Sequence, residues 1–135
     1  MTAKAFLDTN VLVYAYSLDD TRNAKAAALL ASGGVVSVQV MNEFVNVARR
    51  KLRFEWPSVM RALDDLAAPL DPPVPLTMDV HRAAVDVSRR YGFRIYDSLV
   101  LSAARLAGCR TLYSEDLQDG QTIDCVLVRD PFRGA

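Results

Sequence analysis

The stretch Ala5-Phe6-Leu7-Asp8-Thr9-Asn10 is an apolar run that ends in an acid, a hydroxyl and an amide, and residues 11–16 follow as a second apolar run. An apolar run without alternation is typical of a strand covered on both faces, as in a parallel sheet. The second run is long and apolar enough to begin a packed crossover helix. Asp8 then lies at the carboxyl end of the first strand, where ligand and catalytic residues collect in open α/β sheets. Taken alone, Asp8 or Thr9 is more simply interpreted as a cap of the next helix.

The 135-residue chain has an ordinary globular composition, with 51% hydrophobic and 24% charged residues. This length fits one domain over residues 1–135 with a core of its own. No apolar stretch reaches membrane-spanning length and no basic segment leads into one, so we expect a cytoplasmic protein that does not bind membranes. The 16 basic residues balance the 16 acidic residues, so net charge alone does not indicate a nucleic-acid-binding protein.

The rest of the chain alternates helical and extended patterns. Apolar periodicity and terminators predict helices over residues 22–32, 38–52, 56–66, about 79–91 and 98–107, with Asp20 or Thr21 as the cap of the first. Short strands are predicted at residues 35–37, 110–114 and 125–128, and the prolines between 69 and 75 predict an extended connection. This alternation predicts an α/β fold with a parallel sheet and right-handed crossovers.

Four acids fall near corresponding ends of these elements. Asp8 and Asp116 follow predicted strands, and Glu43 and Asp97 lie near the starts of predicted helices. Strand ends and the following helix starts meet at one edge of such a sheet, so the four carboxylates can converge. Four carboxylates so close together repel one another strongly unless a hard divalent cation, which prefers oxygen ligands, neutralises their charge. Mg²⁺ or Mn²⁺ in such a site activates water and stabilises phosphoryl charge.

Two of these acids also have simpler interpretations. Asp97 stands in the first turn of its helix, where it can act through capping or the helix dipole. Glu43 falls off the apolar stripe of its own helix, on a face where a solvated surface residue is the default. Its neighbours on that face are Gln39, Asn42, Asn46 and Arg50.

Basic residues form two clusters that are candidates for phosphate binding. The first comprises Arg49, Arg50, Lys51 and Arg53, and the second comprises Arg89, Arg90 and Arg94. The planar guanidinium fork of arginine binds phosphate bidentately. Basic residues in the last turn of a helix also complement its dipole, and for the first cluster the two interpretations are equally good.

Taken together, the motifs resemble those of PIN-domain nucleases. The residues that carry the resemblance are Asp8-Thr9-Asn10, Asn42-Glu43-Phe44, Tyr96-Asp97-Ser98-Leu99 and Ser114-Glu115-Asp116. Their order and spacing, and the total length, also resemble the VapC-like toxins of toxin–antitoxin pairs. This resemblance covers the whole chain and implies a three-layer α/β/α sandwich with a mainly parallel central sheet. It further implies a Mg²⁺- or Mn²⁺-dependent endoribonuclease that forms homodimers and is inhibited by a small antitoxin.

The resemblance also assigns roles to individual residues. It makes Asp8, Glu43, Asp97 and Asp116 the catalytic, metal-binding acids. Thr9, Asn10 and Ser114 would be supporting polar groups, and Asp119 is a candidate fifth ligand, whereas Glu115 falls between the matched positions. The seven residues of the two basic clusters become candidates for binding the RNA substrate.

Two other functions fit parts of the pattern. A catalytically silent PIN-like domain could use its cleft to bind RNA or protein, although concentrated negative charge does not help a protein to bind RNA. An aspartyl phosphatase also presents an acid after its first strand. It typically needs a second Asp two residues later, where this chain has Asn10, and a later Lys, whereas Lys51 is the last lysine.

The sequence does not support a Ser-His-Asp catalytic triad. Such a triad would need His81, the only histidine, and no Gly-x-Ser-x-Gly elbow accompanies it.

Overall fold

A computed structural model of the chain describes residues 4–133 and contains, over this range, a mainly parallel four-stranded sheet flanked by six helices. The helices are α1 (Thr9–Ala15), α2 (Asn23–Ala31), α3 (Val38–Arg50), α4 (Trp56–Leu66), α5 (Met78–Tyr91) and α6 (Ile95–Leu106). The strands are β1 (Phe6–Leu7), β2 (Thr111–Tyr113), β3 (Thr122–Ile123) and β4 (Val126–Arg129). The predicted α/β/α class is therefore confirmed.

The sheet sets the position of the first acid. Its strand order is β1-β2-β4-β3, with β1, β2 and β4 parallel and β3 antiparallel to β4. In the β1–β2 pair, Leu7 lies opposite Tyr113. The backbone N–H of Asp8 then donates to the carbonyl of Tyr113 at 3.1 Å. Because the two strands are parallel and end together, Asp8 and Ser114 leave the sheet side by side.

Residues 35–37, predicted as a second strand, form only isolated bridges, so that prediction is wrong. The parallel bridges join Phe6 to Val35, Gly34 to Leu70, and Ser37 to Val74. The bridges to Leu70 and Val74 stay isolated because Pro72 and Pro73 lie between those partners and have no N–H to donate. The extended segment ends at Ser37, which caps α3 by accepting the backbone N–H of Val40 at 3.1 Å. These bridges widen the sheet on the β1 side, first by residues 34–37 and then by the proline-rich connection.

Two helix starts differ from those predicted. Helix α6 begins at Ile95 rather than at residue 98, which still leaves Asp97 in its first turn. Helix α2 begins after Arg22 and has no side-chain cap, so the predicted capping by Asp20 or Thr21 is wrong. Asp20 instead accepts both the backbone N–H and the guanidinium Nε–H of Arg22, each at 2.8 Å. This local ion pair holds the α1–α2 loop.

Strand β3 has no counterpart among the predicted strands. It is two residues long and returns as a hairpin into β4 through Asp124 and Cys125, whose φ angles are 47° and 71°. Left-handed backbone at both turn residues matches the twist of a tight hairpin. Neither Asn-Gly nor Asp-Gly marks the turn, which explains why the pattern did not reveal it.

The hydrophobic core lies between the sheet and the helices. It is built from the strand residues Phe6, Leu7, Leu112 and Val128 and from helix residues such as Phe44, all no more than 1% exposed. No helix in the described part of the chain is long and apolar enough to cross a membrane.

Candidate active site

Asp8 is the most buried of the predicted acids, with 5% of its surface exposed. One carboxylate oxygen accepts the backbone N–H of Thr9 at 2.7 Å, and the other accepts the hydroxyl of Ser114 at 2.7 Å. The first bond caps α1, so the capping role expected for Asp8 is present. Burial nevertheless raises the pKa of Asp8 to about 6, and the negative charges of Asp116 and Glu43 add to the rise while both hydrogen bonds lower it. Asp8 therefore carries its charge at a cost, which a structural cap alone would not require.

Thr9, the residue that follows Asp8, holds the Glu43 side chain near Asp8. The Thr9 hydroxyl donates to Glu43 Oε2 at 2.7 Å, and Gln39 Nε2 donates to Oε1 at 3.2 Å. Glu43 is only partly exposed. It lies on the polar face of α3, as periodicity predicted, but that face borders the acidic site rather than bulk solvent alone.

The loop after β2 brings Asp116 to the same place. Ser114, which donates to Asp8, accepts the backbone N–H of Asp116 at 3.2 Å on the same oxygen. Asn10 Nδ2 lies 3.3 Å from both carboxylate oxygens of Asp116. Thus the three polar residues predicted to support the acids, Thr9, Asn10 and Ser114, each contact at least one of them.

Asp97 approaches from the first turn of α6. Arg94 Nε donates to Asp97 Oδ2 at 3.3 Å. The pKa of Asp116 is raised first by partial desolvation and next by the charge of Asp97, with Glu115 and Glu43 adding and Arg94 opposing. The fold therefore brings together four predicted acids from four separate parts of the chain: Asp116 lies within range of the charges of Asp97 and Glu43, and Asp8 within range of those of Asp116 and Glu43.

Glu115 belongs to a second network that borders the first. Its carboxylate accepts the Tyr14 hydroxyl, Arg22 Nη1 at 3.3 Å and Asn10 Nδ2 at 3.4 Å. The Arg22 guanidinium also stacks on the Tyr14 ring, 3.7 Å from its centroid. These contacts tie the loop that carries Asp116 to α1 and to the α1–α2 loop.

Neither Tyr14 nor Arg22 was predicted from the sequence. Tyr14 follows Asn10 by four residues on α1, so helical spacing could have placed the two side chains on one face. Arg22 lies beyond a loop, and nothing in the sequence indicates that it reaches Glu115.

Asp119, the candidate fifth ligand, is engaged with the C-terminal part of the chain. One of its carboxylate oxygens accepts the backbone N–H of Asp130 at 2.9 Å, and the other lies 3.6 Å from Arg133 Nη1. These partners explain its position without a ligand role.

Three of the basic candidates either contact an acid or line a cavity on the surface of α3. Arg94 contacts Asp97 directly. Arg50 and Lys51 line a cavity of about 220 Å³ on the α3 surface, together with Asn46 and Val47.

Of the other basic candidates, all but Arg53 form hydrogen bonds or ion pairs with nearby residues in the part of the protein that the structure describes. Arg49 donates to the carbonyl of Phe54 at 2.8 Å and stacks on Trp56, whereas Arg53 is exposed with a φ of 61°. In the second cluster, Arg89 and Arg90 both pair with Asp86, and Arg90 also forms an ion pair with Asp124 at 2.5 Å.

The family model described as the PIN domain matches residues 5–118, a range that includes all four acids. The chain belongs to the PIN domain family. No curated protein sequence matches it closely enough to count as a relative.

Three solved structures share the fold of this PIN domain. The Mycobacterium tuberculosis VapC20 structure, described as a sarcin-ricin loop cleaving toxin, has a TM-score of 0.68 and 20% identity over 82% of this chain and 88% of that one. A toxin–antitoxin complex from Klebsiella pneumoniae has a TM-score of 0.72 and 19% identity, covering 95% of this chain and 98% of that one. VapBC2 from Rickettsia felis, bound to a DNA fragment from its promoter, has a TM-score of 0.66 and 19% identity over 93% and 96%. At this level of identity the likeness establishes the fold.

A divalent cation, which the PIN family implies, suits the chemistry of this site. All four acids offer oxygen ligands, and the pKa values of Asp8 and Asp116 are raised partly by neighbouring carboxylates, a repulsion that a cation would relieve. Within residues 4–133, however, no three Asp, Glu, His or Cys side chains already stand close enough to form a metal site. Binding would therefore have to draw the carboxylates together.

Proposed function

We propose that this PIN domain is a Mg²⁺- or Mn²⁺-dependent endoribonuclease and the toxin of a VapBC-like pair. The observation that carries the proposal is the buried carboxylate of Asp8, which lies at the end of a parallel strand and shares its surroundings with Glu43 and Asp116. A residue that only caps a helix would not need two further carboxylates beside it. The PIN domain match spans the positions of all four acids, which supports the proposal.

In this proposal the cation is held by Asp8, Glu43, Asp97 and Asp116. When bound, it lowers the pKa of water and offsets the charge that develops on the phosphoryl oxygens. Thr9 and Ser114 hold the carboxylates of Glu43 and Asp8 through their hydroxyls. Positioning of this kind matters because a small misplacement of reacting groups costs rate.

A pair of matched aspartates tests the proposal. Asp97 and Asp79 both stand in the first turn of a helix, but only Asp97 borders the acidic site. We expect Asp97→Asn to reduce RNA cleavage in Mg²⁺ or Mn²⁺ by roughly 100-fold or more, the scale for losing one group that stabilises transition-state charge. Asp79→Asn should cleave like the wild type. Equal loss in both variants, or full activity in excess chelator, would refute the proposal.

The products give an independent readout. Attack by water with the 3′-oxygen as leaving group gives a 3′-hydroxyl on the upstream fragment and a 5′-phosphate on the downstream one, whereas a 2′,3′-cyclic phosphate would mean that the substrate's own 2′-hydroxyl is the nucleophile and the 5′-oxygen leaves. End-group analysis of the fragments distinguishes the two routes.

Cation binding should also stabilise the protein without any RNA. A ligand of the native state contributes about 2.7 kcal/mol at a hundredfold excess over its Kd, and each kcal/mol raises the Tm of a domain of this size by roughly 2–8 °C. We expect Mn²⁺ to raise the Tm by several degrees in the wild type and by less in Asp97→Asn. RNA binding without cleavage and without a Mn²⁺ shift would instead identify a silent binding module.

The partners follow from the same proposal. We infer a small antitoxin, a homodimer and action on RNA in the cytoplasm, with residues 1–135 forming one domain. Two of the structures with this fold are described as toxin–antitoxin assemblies, which supports the antitoxin. Purification after co-expression with the product of a neighbouring small reading frame, with mass measurement of the complex, tests the partner and the homodimer together.

A further inference from the structure

A polar recess opens beside Glu43, between α3 and the start of α6. Its volume is about 340 Å³, and it is lined by Gln39, Asn42, Glu43, Asn46 and Tyr96. This volume lies at the small end of the roughly 300–1,000 Å³ range of ligand sites. The nuclease function proposed above uses Glu43 and, through its hydrogen bond to Glu43, Gln39, which leaves Asn42, Asn46 and Tyr96 without a role.

Tyr96 presents an unusual surface for so large a side chain. It is 58% exposed, although residues 98–104 of the same helix are all buried. Within residues 4–133 its ring takes part in no aromatic pair, unlike the ring of Tyr91, which stacks on Phe93. Exposed rings of this kind stack unpaired bases in proteins that bind single-stranded RNA.

Asn42 and Asn46 face the same recess with free amide groups. They are one helical turn apart on α3, both are exposed, and neither side chain has a hydrogen-bond partner in the described part of the chain. Gln39, in contrast, is already bonded to Glu43. A side-chain amide offers a donor and an acceptor together, the pattern that reads the edge of a nucleobase.

The recess continues along α3 toward positive charge. The neighbouring cavity that contains Arg50 and Lys51 shares Asn46 with it. Arg50 lies seven residues after Glu43, which corresponds to two helical turns, about 10.5 Å. One surface thus runs from the acids past the amides and the tyrosine ring to two cations.

We propose that this recess binds one unpaired nucleobase next to the cleaved phosphodiester and thereby determines the sequence preference of the enzyme. Tyr96 stacks on the face of the base, Asn42 and Asn46 bind its edge, and Arg50 and Lys51 bind the phosphate beyond it. This inference rests on the proposed ribonuclease function for the position of the cut but not for the binding of the base.

Binding measurements test the stacking. The probes are a short unstructured oligoribonucleotide and an abasic strand of the same length, with Ca²⁺ supplying positive charge and RNA integrity checked on a gel. Loss of one base–aromatic stack corresponds to roughly a five- to hundredfold change in affinity. We expect the wild type and Tyr96→Phe to prefer the base-bearing strand by such a factor and Tyr96→Ala to lose most of that preference. Trp56→Ala is the control, because Trp56 is a similarly exposed aromatic, 55%, that does not line the recess.

Cleavage of a random single-stranded RNA library tests the amides. In the wild type, one position beside the cut should show a base preference, and the double variant Asn42→Ala/Asn46→Ala should flatten it. Unchanged strand preference in Tyr96→Ala together with an unchanged cleavage profile in the double variant would overturn the inference while leaving the nuclease function intact. If the wild type leaves the library uncut yet Tyr96→Ala loses its strand preference, the nuclease function fails and the base-binding site stands.

Discussion

At the scale of single residues, Asp8 links the stability of the protein to its proposed chemistry. Its carboxylate caps α1 and binds Ser114, yet burial raises its pKa to about 6. A group whose pKa is higher in the folded state contributes stability below its unfolded pKa and loses that contribution as pH rises through the folded value. Asp8 therefore destabilises the cation-free protein at neutral pH relative to pH 4.

We expect Asp8→Asn to remove this penalty, because the side chain loses its charge while its single oxygen can still accept the Thr9 N–H and its NH₂ group can donate to the Ser114 hydroxyl oxygen. In chelator, the free energy of unfolding of the variant should exceed that of the wild type at pH 7 by more than it does at pH 4, with an increase of at most about 3 kcal/mol. Chemical denaturation across this pH range measures the difference.

Asp124→Asn is the matched control with the opposite sign. The Arg90 guanidinium lowers the pKa of Asp124, so its charge stabilises the fold above its unfolded pKa and this contribution is lost toward low pH. The free energy of unfolding of the wild type should exceed that of Asp124→Asn by the largest margin at pH 7. A stability gap for Asp8→Asn that does not change with pH would mean that burial does not raise the pKa of Asp8.

At the scale of elements, the loop after β2 is fixed by contacts with α1. Glu115 accepts the hydroxyl of Tyr14, and desolvation followed by this bond and the Glu115 charge raises the pKa of Tyr14 well above its usual value. Since Asp116 is the next residue, the bond positions the loop that carries a proposed ligand. Tyr14 keeps an edge-to-face contact with Phe132 if its hydroxyl is removed.

We expect Tyr14→Phe to lower the free energy of unfolding by about 1.5–3 kcal/mol, the range for a hydrogen bond to a charged group. Tyr16→Phe should cost less, because the Tyr16 hydroxyl makes only a 3.4 Å contact with the neutral carbonyl of Ala62. Urea denaturation of both variants, repeated in a Glu115→Gln background, isolates the pairwise interaction. Equal costs with and without Glu115 would show that the bond does not anchor the loop.

The same scale shows what the sequence could and could not predict. Strong apolar periodicity and terminators such as Gly92 predicted the long helices, and strand ends followed by acids predicted the edge where Asp8 and Asp116 meet. Residues 35–37 form isolated bridges rather than a strand because Pro72 and Pro73 interrupt the segment with which they pair. The contact between Arg22 and Glu115 spans 93 positions of the chain and depends on tertiary packing, which no local pattern encodes.

At the scale of the whole molecule, the net charge is balanced, but the basic side chains that remain free to bind phosphate are unevenly distributed over the surface. Arg89 and Arg90 are paired with Asp86 and, for Arg90, also with Asp124. Arg50 and Lys51 line a cavity on α3, and no ion pair involves either of them within the described residues. Cations that are already neutralised by their own chain release few counterions from RNA, whereas free cations release one set for each phosphate they contact.

Two double variants with the same change in net charge therefore separate these pairs. We expect Arg50→Gln/Lys51→Gln to weaken RNA binding and to flatten the slope of log affinity against log salt concentration by up to about 1.4, which corresponds to two phosphate contacts on a single strand. Arg89→Gln/Arg90→Gln should leave the slope near that of the wild type, although it should lower stability by breaking the ion pair to Asp124. Fluorescence anisotropy with single-stranded RNA over a range of salt concentrations measures both slopes. If both variants flattened the slope equally, RNA binding would follow net charge rather than the surface along α3, and the path from the acids to Arg50 and Lys51 would have to be abandoned.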